Sequence, residues 1–255
     1  MGVAGGSLRV VSTFAAGADA GFSAGAPGRQ DDRSLVSERR SDAGAPHAES
    51  PHRDRIIDGA LACLARFGTS KTTVEDIARQ SGLSRATVYR VFPGGRDELL
   101  AAVIDTEAAR LFSALGVRLG TAHSLPEALA GGIAEASARL RDHAALRYLV
   151  EHEPELILGH LAFEDYENLL EVASSFTAPF LARWMRQDEA ERVAEWAARV
   201  VLSYAVSPSD RTDLAEPDHA DAFVRTFMLP GIEALHADSN RPIDISAHHL
   251  PTPHP

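Results

Sequence analysis

The stretch that decides the fold is residues 71–92, KTTVEDIARQSGLSRATVYRVF. Val74 and Ile77 fall on one face of a first short helix, and Val88 returns an apolar face on a second one. Between them stands Gly82, which can adopt the positive φ that a chain reversal needs. This spacing predicts two short helices joined by a tight turn, the arrangement of a helix-turn-helix.

The second helix is expected to keep a polar, basic face free once its valines are buried. In a helix-turn-helix this helix enters the major groove of DNA, and its first turn reaches the base edges. Arg85 could read guanine O6 and N7, while the apolar parts of Ala86 and Thr87 suit thymine methyl groups. Simpler roles stay open, because Arg85 can touch phosphate alone and Tyr89 can merely pack instead of contacting the DNA backbone.

The remaining candidates are expected at the sugar-phosphate backbone. Thr72, Thr73 and Ser84 can donate to phosphates or cap helices, and each of the two threonines precedes a carboxylate at the spacing of a capping box. Arg90 and Arg96 would add attraction that does not depend on sequence. The predicted DNA-binding residues are Thr72, Thr73, Ser84, Arg85, Ala86, Thr87, Tyr89, Arg90 and Arg96.

Composition favours an all-α protein. Hydrophobic residues make up 45% of the 255 residues but aromatic residues only 6%, and alternating β-branched patterns are scarce. A single cysteine, Cys63, excludes a disulfide within the chain, which fits a reducing cytoplasm, and it is predicted to be a half-buried structural thiol. No apolar run approaches the length that crosses a bilayer.

The net charge of −11 is unevenly distributed along the chain. Residues 51–100 hold eight Lys and Arg against six Asp and Glu, whereas residues 101–255 hold twelve against twenty-four. The positive balance therefore lies in the helix-turn-helix segment. Acidity elsewhere disfavours non-specific contact with DNA without forbidding a specific one.

The same pass along the chain predicts its domain organisation. We expect a disordered extension at 1–50, a three-helix DNA-binding domain at 51–97, a helical ligand-binding and dimerisation domain at 98–235, and a disordered tail at 236–255. Outside residues 71–92, helices are expected at 53–67, 96–119, 125–141, 143–152, 155–160, 164–186, 188–206 and 217–235.

Large apolar side chains of the second domain could line a pocket between helices, although each could equally be ordinary bundle core. They are Phe112, Leu115, Leu119, Leu146, Leu149, Phe163, Tyr166, Leu169, Leu170, Phe176, Phe180 and Trp184. Two apolar stripes near the end of the chain suit a four-helix dimer interface, with packing inside one chain as the alternative. Their residues are Val193, Trp196, Val200, Tyr204, Phe223 and Phe227.

No metal site or cofactor is predicted. The histidines and carboxylates of the second domain form no pair four residues apart, the step that a helical metal site favours, so we interpret them as solvated surface. They are His143, His152, His160, Glu153 and Glu155. The tail histidines lack a rigid frame and acidic partners; they are His248, His249 and His254.

Residues 53–104 resemble the TetR (tetracycline-repressor-like) family of bacterial regulators. The resemblance lies in Phe67-Gly68, Thr72-Thr73, Ile77-Ala78, Ser81-Gly82-Leu83-Ser84, Thr87-Val88-Tyr89, Phe92 and Leu99-Leu100. It implies a homodimer with two DNA-binding heads on a helical ligand-binding body, whose effector shifts the heads through the fourth helix. One departure is Arg96, which stands one residue later than the lysine that the family often places for a phosphate.

We therefore expect a sequence-specific regulator that is not an enzyme. The hypothesis is a homodimeric repressor of a pseudo-palindromic operator, released by a small, largely apolar effector. An activator or an effector-independent regulator of the same fold remains the alternative. A helical enzyme is disfavoured because the sequence shows no motif for a nucleophile with its base, for a phosphate-binding loop or for a metal-binding helix. A protein-interaction module that has lost DNA binding is disfavoured because Arg85, Tyr89 and Arg96 are retained.

Overall fold

The computed structural model describes residues 50–155 and 164–239. Within those ranges the chain is helical and contains no strand, which confirms the all-α prediction. The predicted extension, the tail beyond residue 239, Phe163 and most of the helix expected at 155–160 lie outside the described residues, as does the side chain of Tyr166.

Ten α-helices follow one another in the described part of the chain. They are α1 (Ser50–Lys71), α2 (Val74–Ser81), α3 (Arg85–Val91), α4 (Gly95–Gly120), α5 (Leu125–Asp142), α6 (Ala144–His152), α7 (Glu164–Leu181), α8 (Gln187–Val206), α9 (Pro217–Phe223) and α10 (Leu229–Ser239). A π-helical turn at Val224–Met228 joins α9 to α10. The segment expected as one helix at 217–235 is thus three consecutive pieces, and α7 ends five residues before the expected 186.

The local signals of the helix-turn-helix act as expected. Thr73 caps α2 through a reciprocal pair with Asp76, in which the Asp76 amide donates to Thr73 Oγ1 at 3.2 Å. Gly82 ends α2 with φ 66°, and Ser84 Oγ then accepts from the Thr87 amide at 3.1 Å to open α3. The turn between α2 and α3 is therefore fixed by its own sequence.

Buried apolar side chains form two clusters, which define a head and a body. The head cluster joins α1, α2 and α3 around Ile56, Ile77, Val88 and Phe92. It also takes in the start of α4 and one residue of α6, Ala145. The body cluster gathers side chains of α4, α5, α7, α8, α9 and α10. Because α4 crosses the expected boundary at residue 97 without interruption, one continuous helix connects the two.

Cys63 packs in the head core, where it is fully buried at 3% exposure and not half-buried as predicted. Burial raises the pKa of the Cys63 thiol above its ordinary value, so the reactive thiolate is disfavoured. None of the described helices is both long and apolar enough to cross a lipid bilayer.

Candidate nucleic-acid interface

Helix α3 presents a polar face to solvent. Val88 is its buried anchor, whereas Arg85, Ala86, Tyr89 and Arg90 are exposed, Tyr89 at 45% despite its large ring. Because Val88 and Val91 pack against the head core while Arg85, Tyr89 and Arg90 are exposed, the helix can lie in a groove without unfolding any part of the head.

The first turn of α3 is braced from within. Ser84 and Thr87 share a hydrogen bond between their hydroxyl oxygens at 2.9 Å, and both lie at the helix start. Each hydroxyl can still use its second lone pair or its proton toward DNA. Capping and phosphate contact are thus compatible at Ser84, one of the two roles considered for it.

Arg85 meets one acidic neighbour. Its Nη1 lies 3.5 Å from Glu75 Oε2, and both side chains are more than half exposed. An exposed pair of this kind contributes at most about 1 kcal/mol and is screened by salt. Glu75 therefore restrains Arg85 only weakly before DNA arrives.

Two of the proposed phosphate contacts are placed differently from the prediction. Thr72 is buried, with 2% of its surface exposed, and its hydroxyl donates to the carbonyl of Gly68. Arg96 is half-buried and donates to the carbonyls of Thr69 and Thr72. Both side chains hold together the junction between α1, α2 and α4, and the remaining Arg96 nitrogen, Nη1, lies 3.9 Å from Asp97 Oδ1.

A cavity of about 180 Å³ opens in the body between α4, α5, α7 and α8. Thr177 is the one polar side chain among the described residues that line it. The others are Leu111, Phe112, Leu115, Leu119, Ala128, Leu129, Gly132, Ile133, Ala136, Leu140, Leu169, Ala173, Leu181, Ala194, Ala197, Ala198, Val201 and Leu202. Apolar cavities of roughly 150 Å³ stay dry and take up benzene, so this one suits a small neutral molecule.

The predicted pocket residues divide between this cavity and other places. Phe112, Leu115, Leu119 and Leu169 line it. Leu146 and Leu149 instead line a separate groove where α1 meets α4, α5 and α6. The other described candidates do not line the body cavity. Leu170 is buried elsewhere, and the rings of Phe176 and Phe180 pack against each other. Trp184 lies beneath the Arg183 guanidinium.

The predicted dimer residues separate in the same way. Val193 is 2% exposed and belongs to the body core, on the same face of α8 as Ala197 and Val201. This placement corrects the prediction that Val193 lies in the dimer interface. Apolar residues at helical spacing can pack within one chain or between two chains, and the spacing alone does not distinguish these cases. Trp196 and Phe227, by contrast, are large apolar side chains left at 41% and 61% exposure.

Half-buried side chains that pack against the body core, among them Tyr204 and Phe223, adjoin these two exposed residues. The rings of Tyr204 and Phe223 lie 6.1 Å apart, and those of Phe223 and Phe227 lie 5.2 Å apart. Trp196, Val200 and Tyr204 follow at four-residue spacing along one face of α8. We call this surface, made of Trp196, Val200, Tyr204, Phe223 and Phe227, the aromatic face.

Two residues interpreted as solvated surface prove to be structural. His143 Nδ1 accepts from the Leu146 amide at 3.1 Å and so caps α6, while its Nε2 lies 3.1 Å from Glu107 Oε2. Glu153 accepts hydrogen bonds from the Thr69–Ser70 segment of the head. Partial burial raises the pKa of Glu153, but these hydrogen bonds outweigh it and keep the pKa below its ordinary value.

Comparison with known proteins agrees with this architecture. Residues 56–103 match the model of the family described as bacterial regulatory proteins, tetR family. The chain is 28% identical over 181 residues to an uncharacterized HTH-type transcriptional regulator of Mycobacterium tuberculosis, covering 69% of this chain and 83% of that protein. It is also 28% identical over 167 residues to the HTH-type transcriptional regulator BetI of Rhizobium meliloti, covering 60% of this chain and 75% of that one.

Solved structures share the fold. The TetR family repressor AlkX from a Dietzia strain, implicated in biodegradation of n-alkanes, superimposes with a TM-score of 0.50 at 24% identity. That match covers 76% of this chain and 98% of AlkX. Residues 56–103, which match the family model, contain most of α1, all of α2 and α3 and the start of α4, and so include the exposed face of α3. The family match of residues 56–103, together with the similarity of most of the chain to HTH-type transcriptional regulators, assigns the head to the TetR family of helix-turn-helix DNA-binding regulators.

Proposed function

We propose that the protein is a cytoplasmic homodimeric repressor that a small, neutral, apolar effector releases from a pseudo-palindromic operator. The observation that carries the effector half is the body cavity, whose described lining offers Thr177 as its one polar side chain. A charged ligand group buried there would lose its hydration without a partner, at a cost of several kcal/mol. The proposed effector therefore has no carboxylate or ammonium group.

The operator half of the proposal is supported by the exposed α3. Arg85, Ala86 and Thr87 lie in the first turn of this helix, where base edges come within reach. Tyr89 and Arg90 lie further along the same helix and suit backbone contacts. A two-fold dimer presents two such helices, and this is the reason for a pseudo-palindromic operator.

The dimer half is supported by the aromatic face. Solvent-exposed apolar patches rich in Trp, Tyr and Phe mark protein interfaces in soluble proteins. Because α8 and the segment from α9 to α10 both contribute to the aromatic face, two copies can build a four-helix contact.

A matched pair of probes tests the effector half. Toluene and benzoate contain the same benzene ring, but toluene is neutral and benzoate carries a negative charge. We expect toluene to raise the melting temperature of the protein and to weaken its binding to an operator selected from random DNA, and benzoate to do neither. Equal effects of the two probes, or tighter operator binding with toluene, would refute the neutral apolar effector.

A further inference from the structure

Glu153 is held against the head by both of its carboxylate oxygens. It follows the last residue of α6, and its Oε2 accepts from the amide of Thr69 at 3.1 Å and from the Thr69 hydroxyl. Its Oε1 accepts from the amide of Ser70 at 3.3 Å and from the Ser70 hydroxyl at 2.8 Å. One side chain at the end of α6, the helix that follows α5 of the body, thus satisfies four donors of a segment that lies 83 and 84 residues earlier.

The backbone of the head is shaped to admit this carboxylate. Gly68 has φ 75° and interrupts α1 just before Thr69. A Cβ atom at Gly68 would overlap the Glu153 carboxylate and would approach Tyr148 Cε1 to 2.7 Å. Tyr148 is itself stacked on His152, with ring centroids 4.3 Å apart. Close approach of α6 therefore depends on glycine at this position.

The same segment is held from its other side by α4. Arg96 donates to the carbonyl of Thr69, and its Nε donates to the carbonyl of Thr72 at 3.1 Å. Arg96 lies in the first turn of α4, five residues beyond the end of α3. Thr69 therefore bonds to two elements at once. Its amide and hydroxyl donate to Glu153 at the end of α6, and its carbonyl accepts from Arg96 at the start of α4, the helix that follows the recognition helix.

We propose that Glu153 is a positioning residue for DNA binding, which fixes the orientation of the head on the body through the Thr69–Ser70 segment. The name hinge latch denotes Glu153, Thr69, Ser70 and Arg96 together. The hydrogen bonds of the hinge latch are internal to the protein: Glu153 accepts from Thr69 and Ser70, and Arg96 donates to the carbonyls of Thr69 and Thr72. The effect of the hinge latch is on the relation between the two heads of a dimer, and so the proposal rests on the proposed dimeric function.

Comparing two DNA ligands tests the hinge latch. An operator with both half-sites requires the two heads to be correctly oriented, whereas a duplex with one half-site requires only an intact α3. We expect Glu153→Ala to weaken binding to the two-half-site operator about tenfold and to change single-half-site binding less than twofold. Glu153→Gln keeps one acceptor oxygen and should give an intermediate loss.

The matched control is Glu151→Ala, which removes an exposed carboxylate from the same helix. We expect it to leave both affinities unchanged. Hydrogen exchange, measured without DNA, adds a second readout: the Thr69 and Ser70 amides should exchange faster in Glu153→Ala and not in Glu151→Ala.

The outcomes separate the two proposals. If the wild type binds two half-sites no better than one, the dimeric function fails. If the wild type shows that preference and Glu153→Ala retains it, or lowers both affinities equally, the hinge latch is refuted while the function stands. Unchanged exchange at Thr69 and Ser70 in Glu153→Ala would also refute it.

Discussion

Arg85 and Arg90 carry the same charge on the same helix but occupy different turns of it. Arg85 is the first residue of α3 and Arg90 the last but one. The first turn of a recognition helix meets base edges, while its later turns pass the phosphates. The two arginines therefore allow base reading to be separated from phosphate attraction by matched substitutions.

At Arg85, we expect the alanine variant to lose base preference at one position of each half-site. A bidentate contact to guanine discriminates by about 1–3 kcal/mol, so that position should become degenerate while the others persist. Arg90→Ala should instead weaken all sequences alike and lower the salt slope by about one unit. Selection from random DNA, followed by salt titration, measures both effects. Equal behaviour of the two variants would contradict this assignment.

Arg96 calls for a different expectation, because its Nε and Nη2 donate to backbone carbonyls inside the protein. Removing it leaves the carbonyls of Thr69 and Thr72 without that partner, so Arg96→Ala should destabilise the fold by about 1–3 kcal/mol in urea unfolding. Arg90→Ala serves as control and should change stability by less than about 0.5 kcal/mol. If Arg96→Ala left stability unchanged and only flattened the salt slope, the phosphate contact expected from sequence would be correct instead.

Among the elements, α1 and α6 meet at a glycine that tolerates no side chain. Gly68→Ala would place Cβ in the left-handed region and against Glu153, so we expect a loss of stability of at least about 1–3 kcal/mol. The matched control is Gly231→Ala in α10, where a Cβ atom meets nothing within 4 Å and should stabilise the helix by up to about 1 kcal/mol. Thermal unfolding compares them, and equal melting temperatures would contradict the close approach of α6.

The body cavity and the hinge latch are connected by consecutive helices. Leu140 of α5 lines the cavity, and α6 begins after the single residue His143, whose amide donates to the Leu140 carbonyl at 3.3 Å. A ligand that displaces the end of α5 would therefore move α6 and Glu153 with it. We expect toluene to increase hydrogen exchange at Thr69 and Ser70 in the wild type. Binding of toluene without that increase would disconnect the two sites.

The helix-turn-helix was predictable because its signals are local. Thr73, Gly82 and Ser84 each act on residues within four positions, and Val88 sets the buried face of α3. The hydrogen bonds of Glu153 could not be predicted in this way, because its partners lie more than 80 residues away in sequence and carry no distinctive pattern.

The cavity was only partly predictable for a related reason. Large apolar residues such as Phe112 and Leu115 were identified, but space in a bundle is created where side chains are small. Gly132 and Ala136 of α5 and Ala194 of α8 supply that space. A sequence read one helix at a time cannot show which small residues face one another.

For the whole molecule, assembly depends on the aromatic face. Replacing Trp196 and Phe227 together by glutamate would bury charges in the proposed interface, so we expect a monomer that binds the two-half-site operator at least about a hundredfold more weakly. Val117→Glu is the control, because Val117 is 69% exposed on α4, outside the aromatic face. Sedimentation velocity measures the oligomeric state. A dimer that survived the double substitution would place the interface elsewhere.

The central claim is that the exposed face of α3 reads the major groove. Dimethyl sulfate probing of the selected operator tests it directly, because the reagent methylates guanine N7 in that groove. We expect two clusters of protected guanines about ten base pairs apart, centre to centre, or a multiple of that distance, with part of each cluster lost in Arg85→Ala. Protection that is absent, or identical in wild type and Arg85→Ala, would contradict the claim.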